Sequence, residues 1–244
     1  MKDFFPIYDA IIDGVERGTV IESCFFGNRW AMARSKENIG IAMATAGESI
    51  APMFSTLEGM DVKDAAPAIK SWNFREASLA MAAVNSWYNT PERMAKLNCH
   101  EPFKKYSTAG LDISGMTVAA IGHLKLTEEI YAKAKEVYII EREPQTGDYP
   151  DSACDYILPK CDLAVITGSS LINKTLPHLL ELCKNAYTIL IGPTVPMCSA
   201  LLDFGIDRLS GFVCTDTASL CRKVTEGSGG SPYYCGESWL LKES

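Results

Sequence analysis

The sequence predicts an α/β protein in two parts, a small α+β unit followed by a doubly wound parallel sheet. Three observations lead there. From residue 115 onward, short runs that are apolar throughout alternate with helical patterns, which marks a parallel sheet covered on both faces. Before residue 91 the order is instead one helix, three β-prone runs and two helices, as expected for helices on one face of an antiparallel sheet. Finally, the 244 residues are 47% hydrophobic and 22% charged, enough for a core and ordinary for a globular chain. That length allows one large domain or two modest ones. The change of pattern divides it into residues 1–100 and 101–244.

The first unit opens with Phe4, Tyr8, Ile11, Ile12 and Val15 at helical spacing, with Pro6 in the first turn, where a helix tolerates it. Residues 19–26 and 30–34 are β-prone and meet at the turn residues Gly27-Asn28, and residues 40–46 form a third short strand. Residues 62–72 and 74–88 are helical, the second rich in alanine and suited to tight packing. Residues 91–114 lack clean periodicity and read as a connection.

In the second unit, strands are expected at 117–122, 137–140, 163–167, 188–191 and 209–214. Helices are expected at 127–135, 151–158, 175–184, 199–204 and 217–224. This alternation is Rossmann-like or flavodoxin-like. The segment 226–231 is glycine- and serine-rich and reads as a flexible link. The apolar residues after it dock on a domain or a partner.

Charge and cysteine usage bound the function. Thirty acidic against 23 basic side chains give -7, which disfavours nucleic acid because phosphate neutralisation needs basic excess. The N-terminal stretch is interrupted by Asp3, Asp9 and Asp13, and the longest charge-free run contains Gly192, Pro193 and Pro196. Neither a secretory signal nor a membrane span is expected, so the reading is a cytoplasmic protein. Nine scattered cysteines form no CxxC pair and read as reduced thiols.

Ligands of such sheets bind at the carboxyl ends of the strands. There stand Gly122-His123, Glu141-Arg142, Thr167-Gly168-Ser169-Ser170 and Gly192-Pro193-Thr194. His123, directly after an apolar strand, is the candidate acid or base, or a loop histidine held by a hydrogen bond. His178 and His100 read as structural or solvent-facing. Glu141 lies 19 residues after Gly122, near where an acidic residue accepts ribose hydroxyls, or is a solvated strand end. The first turn lacks GxGxxG, so conventional NAD or FAD is disfavoured. The hydroxyl-rich turn 167–170, with Asn173 following, offers donors to an anion or simply caps a helix. Asp148 is a nearby carboxylate, and a divalent or heavy metal stays open. In the first unit, Arg29-Trp30 follows the hairpin turn. Asn85 sits mid-helix among alanines, where its amide needs a task such as crossing a cleft or tying down backbone. No GxSxG, P-loop or HExxH is present.

Taken together, VAAIGHL, the run from IIEREPQTGDYP to VITGSSLINKT, and LIGPTVPMCSALLDFGID resemble a family named for putative heavy-metal chelation. FFGNRWAMARS and IGIAMAT resemble that family's companion domain, which is similar to the N-terminal domain of enolase. The resemblance implies an enolase-N-terminal-like domain, a Rossmann-like domain and a site in the cleft between them. It implies a small-molecule ligand related to metal chelators, siderophores, pterins or flavins, acted on by condensation or hydrolysis. The matching positions are Gly122, His123, Glu141, Asp148, Pro150, Thr167, Gly168, Asn173, Gly192 and Pro193, with Arg29, Trp30 and Asn85. Three function classes follow: an enzyme, a non-catalytic metal or metal-chelate binder, and a scaffold that recruits a partner. Self-association is compatible with any of them.

Overall fold

In the computed structural model, the described residues are 5–36, 38–97, 100–102, 111–124, 126–227 and 230–242. Residues 98–99 and 103–110 of the expected connection 91–114, the link residues 228–229 and Phe4 of the expected first helix lie outside them, and of His100 only the backbone is described.

The chain begins with helix α1 (Pro6–Gly14), then strands β1 (Ser23–Phe26), β2 (Trp30–Ser35) and β3 (Asn38–Met43). The three strands form an antiparallel sheet in the order β1-β2-β3. The strand expected from residue 19 starts at Ser23, because Val20 instead bridges to Asp61. Helices α2 (Val62–Ala65), α3 (Phe74–Tyr88) and α4 (Pro91–Lys96) follow. Helix α4 occupies part of the expected connection. Thr90 caps it and Pro91 takes its first position, a start signal that needs no apolar periodicity.

The rest builds one sheet from β4 (His100–Pro102), β5 (Thr117–Ile121), β6 (Glu136–Glu141), β7 (Tyr149–Pro150), β8 (Leu163–Thr167), β9 (Tyr187–Ile191), β10 (Arg208–Cys214) and β11 (Gly236–Lys242). Its helices are α5 (Glu128–Lys133), α6 (Cys154–Ile157), α7 (Ser169–Ile172), α8 (Leu176–Leu182) and α9 (Thr217–Thr225). The strand order is β4-β11-β10-β9-β8-β5-β6-β7. From β10 to β7 every neighbouring pair is parallel, while β11 is antiparallel to both β10 and β4. The chain leaves β5 toward β6 and β7, then returns to β8 and runs outward to β10. The order therefore reverses between β5 and β8, which is where an open parallel sheet leaves a crevice. The tail expected to dock does so as β11, a strand that lies between β10 and the edge strand β4.

Alternation along the parallel strands sorts side chains onto two faces. Val118, Ala120, Leu163, Val165, Ile189 and Ile191 share one cluster with Ile130 of α5. Ala119, Ala164, Ile166 and Leu190 belong to the larger core, which continues without a break into α1 and α3. Helix α3 is buried on nearly all sides, and its buried polar residues Glu76, Ser78, Asn85 and Ser86 are hydrogen-bonded there. It packs so closely on β3 that a Cβ at Gly40 would lie 2.1 Å from the Ala82 oxygen and the Ser86 nitrogen.

Candidate functional site

The turn after β5 is built around Gly122. Its φ of +102° lies in the left-handed region, and a Cβ there would sit 3.0 Å from Thr167. The Gly122 N–H donates to the Ile140 carbonyl at 2.9 Å, so the turn stays registered on β6. Glu141, at the end of β6, completes the fixation. One carboxylate oxygen accepts the His123 N–H at 2.6 Å and the other accepts the Arg142 N–H at 2.8 Å. The expected ligand anchor thus serves two backbone amides and holds the turn that carries His123.

The His123 ring is oriented in turn. Its Nδ1 lies 3.0 Å from Asp148 Oδ2, which also accepts the Gln145 N–H at 3.0 Å. Those two contacts, the Gln145 amide first and His123 second, hold the Asp148 carboxyl below its ordinary range against the opposing cost of desolvation. Asp148 itself does not border the cleft.

These groups open onto a cleft of about 880 Å³ at the carboxyl ends of the parallel strands. Gly122, His123, Glu141, Thr167, Ser169, Asn173, Gly192 and Pro193 line it, joined by Arg29 and Trp30 from the small sheet. Arg29 stands over the Trp30 ring at 5.7 Å. The Trp30 indole N–H is buried with no hydrogen-bond acceptor. Across the cleft, Thr167 Oγ1 and Ser169 Oγ are 3.1 Å apart, and Asn173 Oδ1 accepts from the Thr175 hydroxyl at 2.7 Å.

Besides Asp148, three expected ligand contacts, Asn85, Thr194 and Gly168, lie elsewhere, as does Pro150, a position matched only by the resemblance. Asn85 is 1% exposed, and its Nδ2 reaches the carbonyls of Ile41 at 2.9 Å, Pro193 at 3.2 Å and Thr194 at 3.1 Å. Its task is to tie down backbone, because helix α3 runs under the loop. Thr194 is also buried, and its hydroxyl accepts the Met43 N–H at 2.9 Å. Gly168 lies under Val195, where a Cβ would be 2.6 Å from a methyl group. Pro150 belongs to the exposed strand β7.

Sequence reasoning missed other parts of the wall. Asn89 Nδ2 donates to Val195 O at 2.9 Å and Phe212 O at 3.1 Å, and Asn89 Oδ1 accepts the Met197 N–H at 2.9 Å. Asn85 on α3 and Asn89 at its C-cap, one turn apart, staple the 192–197 loop to the first unit, and the repeat of asparagine at i, i+4 was the available signal. His178 is solvent-facing, as expected, with its side chain 54% exposed, and together with Asp155 it also borders the cleft. No sequence spacing pointed to that pair. Among the described residues no group of three or more His, Cys, Asp or Glu side chains could hold a metal ion. The eight described cysteines are free thiols.

Two family models match the chain, both described as "Putative heavy-metal chelation": DUF364 over residues 109–236 and DUF4213 over residues 8–88. An uncharacterized protein of Methanocaldococcus jannaschii is 27% identical over 168 residues, a match spanning 65% of this chain and 63% of the relative. A crystal structure of a DUF364-family protein of unknown function from Desulfitobacterium hafniense is similar with a TM-score of 0.87 and 31% identity, covering 100% of this chain and 99% of that one. A second, from Pyrococcus horikoshii, has a TM-score of 0.81 at 20% identity and covers 98% and 99%. At that identity the second likeness speaks for the fold alone.

Proposed function

Because the chain belongs to the family described as "Putative heavy-metal chelation", we propose that it binds a small polar or anionic metabolite in the cleft and acts on it by condensation or hydrolysis. The ligand class is a chelator-, pterin- or flavin-related molecule. The observation that carries this reading is the His123–Asp148 contact at the mouth of the cleft. An ionised Asp148 keeps the ring proton on Nδ1 and leaves Nε2 free to take a proton from a bound molecule. Glu141 positions that ring through the backbone. Arg29, Asn173 and the hydroxyls of Thr167 and Ser169 offer donors, and the Trp30 N–H has an unused hydrogen bond to give. We further read residues 1–100 as the enolase-N-terminal-like unit and 101–244 as the Rossmann-like unit. The strand order, counted from β5 as 3-2-1-4-5-6, supports the second label.

The family description raises a heavy metal, but the donor set among the described residues does not fit a bare ion. A metal would enter already wrapped in a chelator. The alternative reading, a metal-chelate binder without turnover, rests on that description. It predicts stoichiometric metal by elemental analysis of protein purified without chelator, and turnover of the bound molecule contradicts it.

The test is calorimetric titration of the full chain with citrate, pterin-6-carboxylate and riboflavin. At least one binds, and His123→Ala and Glu141→Gln each weaken it by tenfold or more while the fold is kept, a threshold of about 1.4 kcal/mol. Binding of none, or equal binding in both variants, overturns the proposal.

A further inference from the structure

Beyond His123, the cleft holds a second histidine–carboxylate pair that the reading above leaves unused. His178 Nε2 lies 3.1 Å from Asp155 Oδ1. His178 comes from α8 and Asp155 from α6, so the pair forms only because those two helices pack together. Both residues border the same cleft as His123. Both side chains are about half exposed, 54% for His178 and 55% for Asp155, so the pair contributes little to stability and is not a core feature.

The chemistry of the two pairs is complementary. Asp148 binds Nδ1 of His123 and leaves Nε2 open, whereas Asp155 binds Nε2 of His178 and leaves Nδ1 open. Each ring therefore has one nitrogen held by a carboxylate and one nitrogen free for a ligand. A metal is not the common element, because these groups do not converge on one point among the described residues. Two oriented imidazoles on one cleft are what a reaction needs when a proton is removed at one atom and added at another.

We propose that His178, oriented by Asp155, is the second proton-transfer residue of the cleft and works with His123 on one bound molecule. The substrate class is then an ester, amide or comparable acyl compound cleaved by water, or the reverse condensation. In cleavage, one imidazole takes the proton from water as its oxygen bonds to the acyl carbon. The bond to the leaving group breaks, and the other imidazolium gives that group a proton. The first ring then returns its proton to solvent and the second regains one, so atoms and charge balance without an oxidant or a further reactant. This rests on the cleft being the reaction site, as read above.

The test uses the full chain and phenyl acetate as the probe, with phenol release followed from pH 5 to 9. Besides the two histidine–carboxylate pairs, the titratable groups that line the same cleft are Arg29, Glu141, Arg142, Asp151, Cys154 and Tyr233. The rate is expected to follow a bell, because one ring must be neutral while the other is charged. His178→Gln should remove one limb of the bell and lower the maximum by about 100-fold. Asp155→Asn should lower it less and move the same limb. Circular dichroism checks that these exposed substitutions keep the fold. If His178→Gln keeps the wild-type rate and bell while His123→Gln is inert, the role of His178 falls and the cleft reading stands. If neither substitution changes the rate, or the wild type releases no phenol above buffer, the paired role is overturned, and the probe titrations above decide the cleft reading separately.

Discussion

Glu141 shows how a residue can be in the right place for a different reason. Its position after an apolar strand suggested a ligand contact, yet its oxygens accept the His123 and Arg142 amides. Glu141→Ala should leave both amides without their acceptor and loosen the turn. Amide hydrogen exchange at His123 should speed up by tenfold or more while the core strands keep their protection, and unchanged exchange contradicts the clamp. Asp148 gives a pH dependence with a defined sign. Its folded pKa is lowered, so its stabilising contribution is complete above the unfolded carboxyl value of about 4 and is lost as pH falls through the lower folded value. The His123 ring resonances should therefore change below pH 4, and Asp148→Asn should abolish that step. A wild-type spectrum flat to pH 2 contradicts it. His178 was illegible in the sequence for a plain reason. Nothing in the spacing of residues 155 and 178 brings them together, and only the packing of α6 on α8 does.

At the scale of elements, α3 matters most for the site because it positions a wall it does not border. Asn89→Ala would strand the Val195 and Phe212 carbonyls and the Met197 N–H in a buried place. Leaving such groups unsatisfied should cost about 3 kcal/mol in urea unfolding, and a loss below about 0.5 kcal/mol would contradict the staple. Gly40→Ala forces the β3 backbone away from α3 and should cost about 1–3 kcal/mol. The parallel strands were legible because both their faces are covered, which makes them apolar at every position, and β8 matches its expected bounds. Strands at the margins were not. The two-residue β7 is exposed and carries no pattern. In β11 burial is irregular, and it follows a glycine- and serine-rich stretch that reads as linker. Asn85 announced that it had work, but not whether it faced ligand or backbone.

For the whole molecule, the small sheet and the large sheet enclose one cleft, with Arg29 and Trp30 on one side and the β5, β8 and β9 ends on the other. The larger core runs through α1 and α3 into the parallel sheet. Loosening either half should therefore disturb the wall contributed by the other. The chain carries a net charge of -7, yet the lining of the cleft is mixed, with arginines, histidines, carboxylates and hydroxyls. A second groove, lined by Pro6, Pro177, Leu180 and Phe204, lies apart from it and offers a built-in comparison. The most direct measurement is amide chemical-shift mapping of the labelled chain titrated with citrate, pterin-6-carboxylate and riboflavin. Shifts should cluster at Gly122, His123, Arg142, Ser169 and Gly192 and vanish for His123→Ala. Shifts clustering at the second groove, or persisting unchanged at the cleft in that variant, would contradict the account.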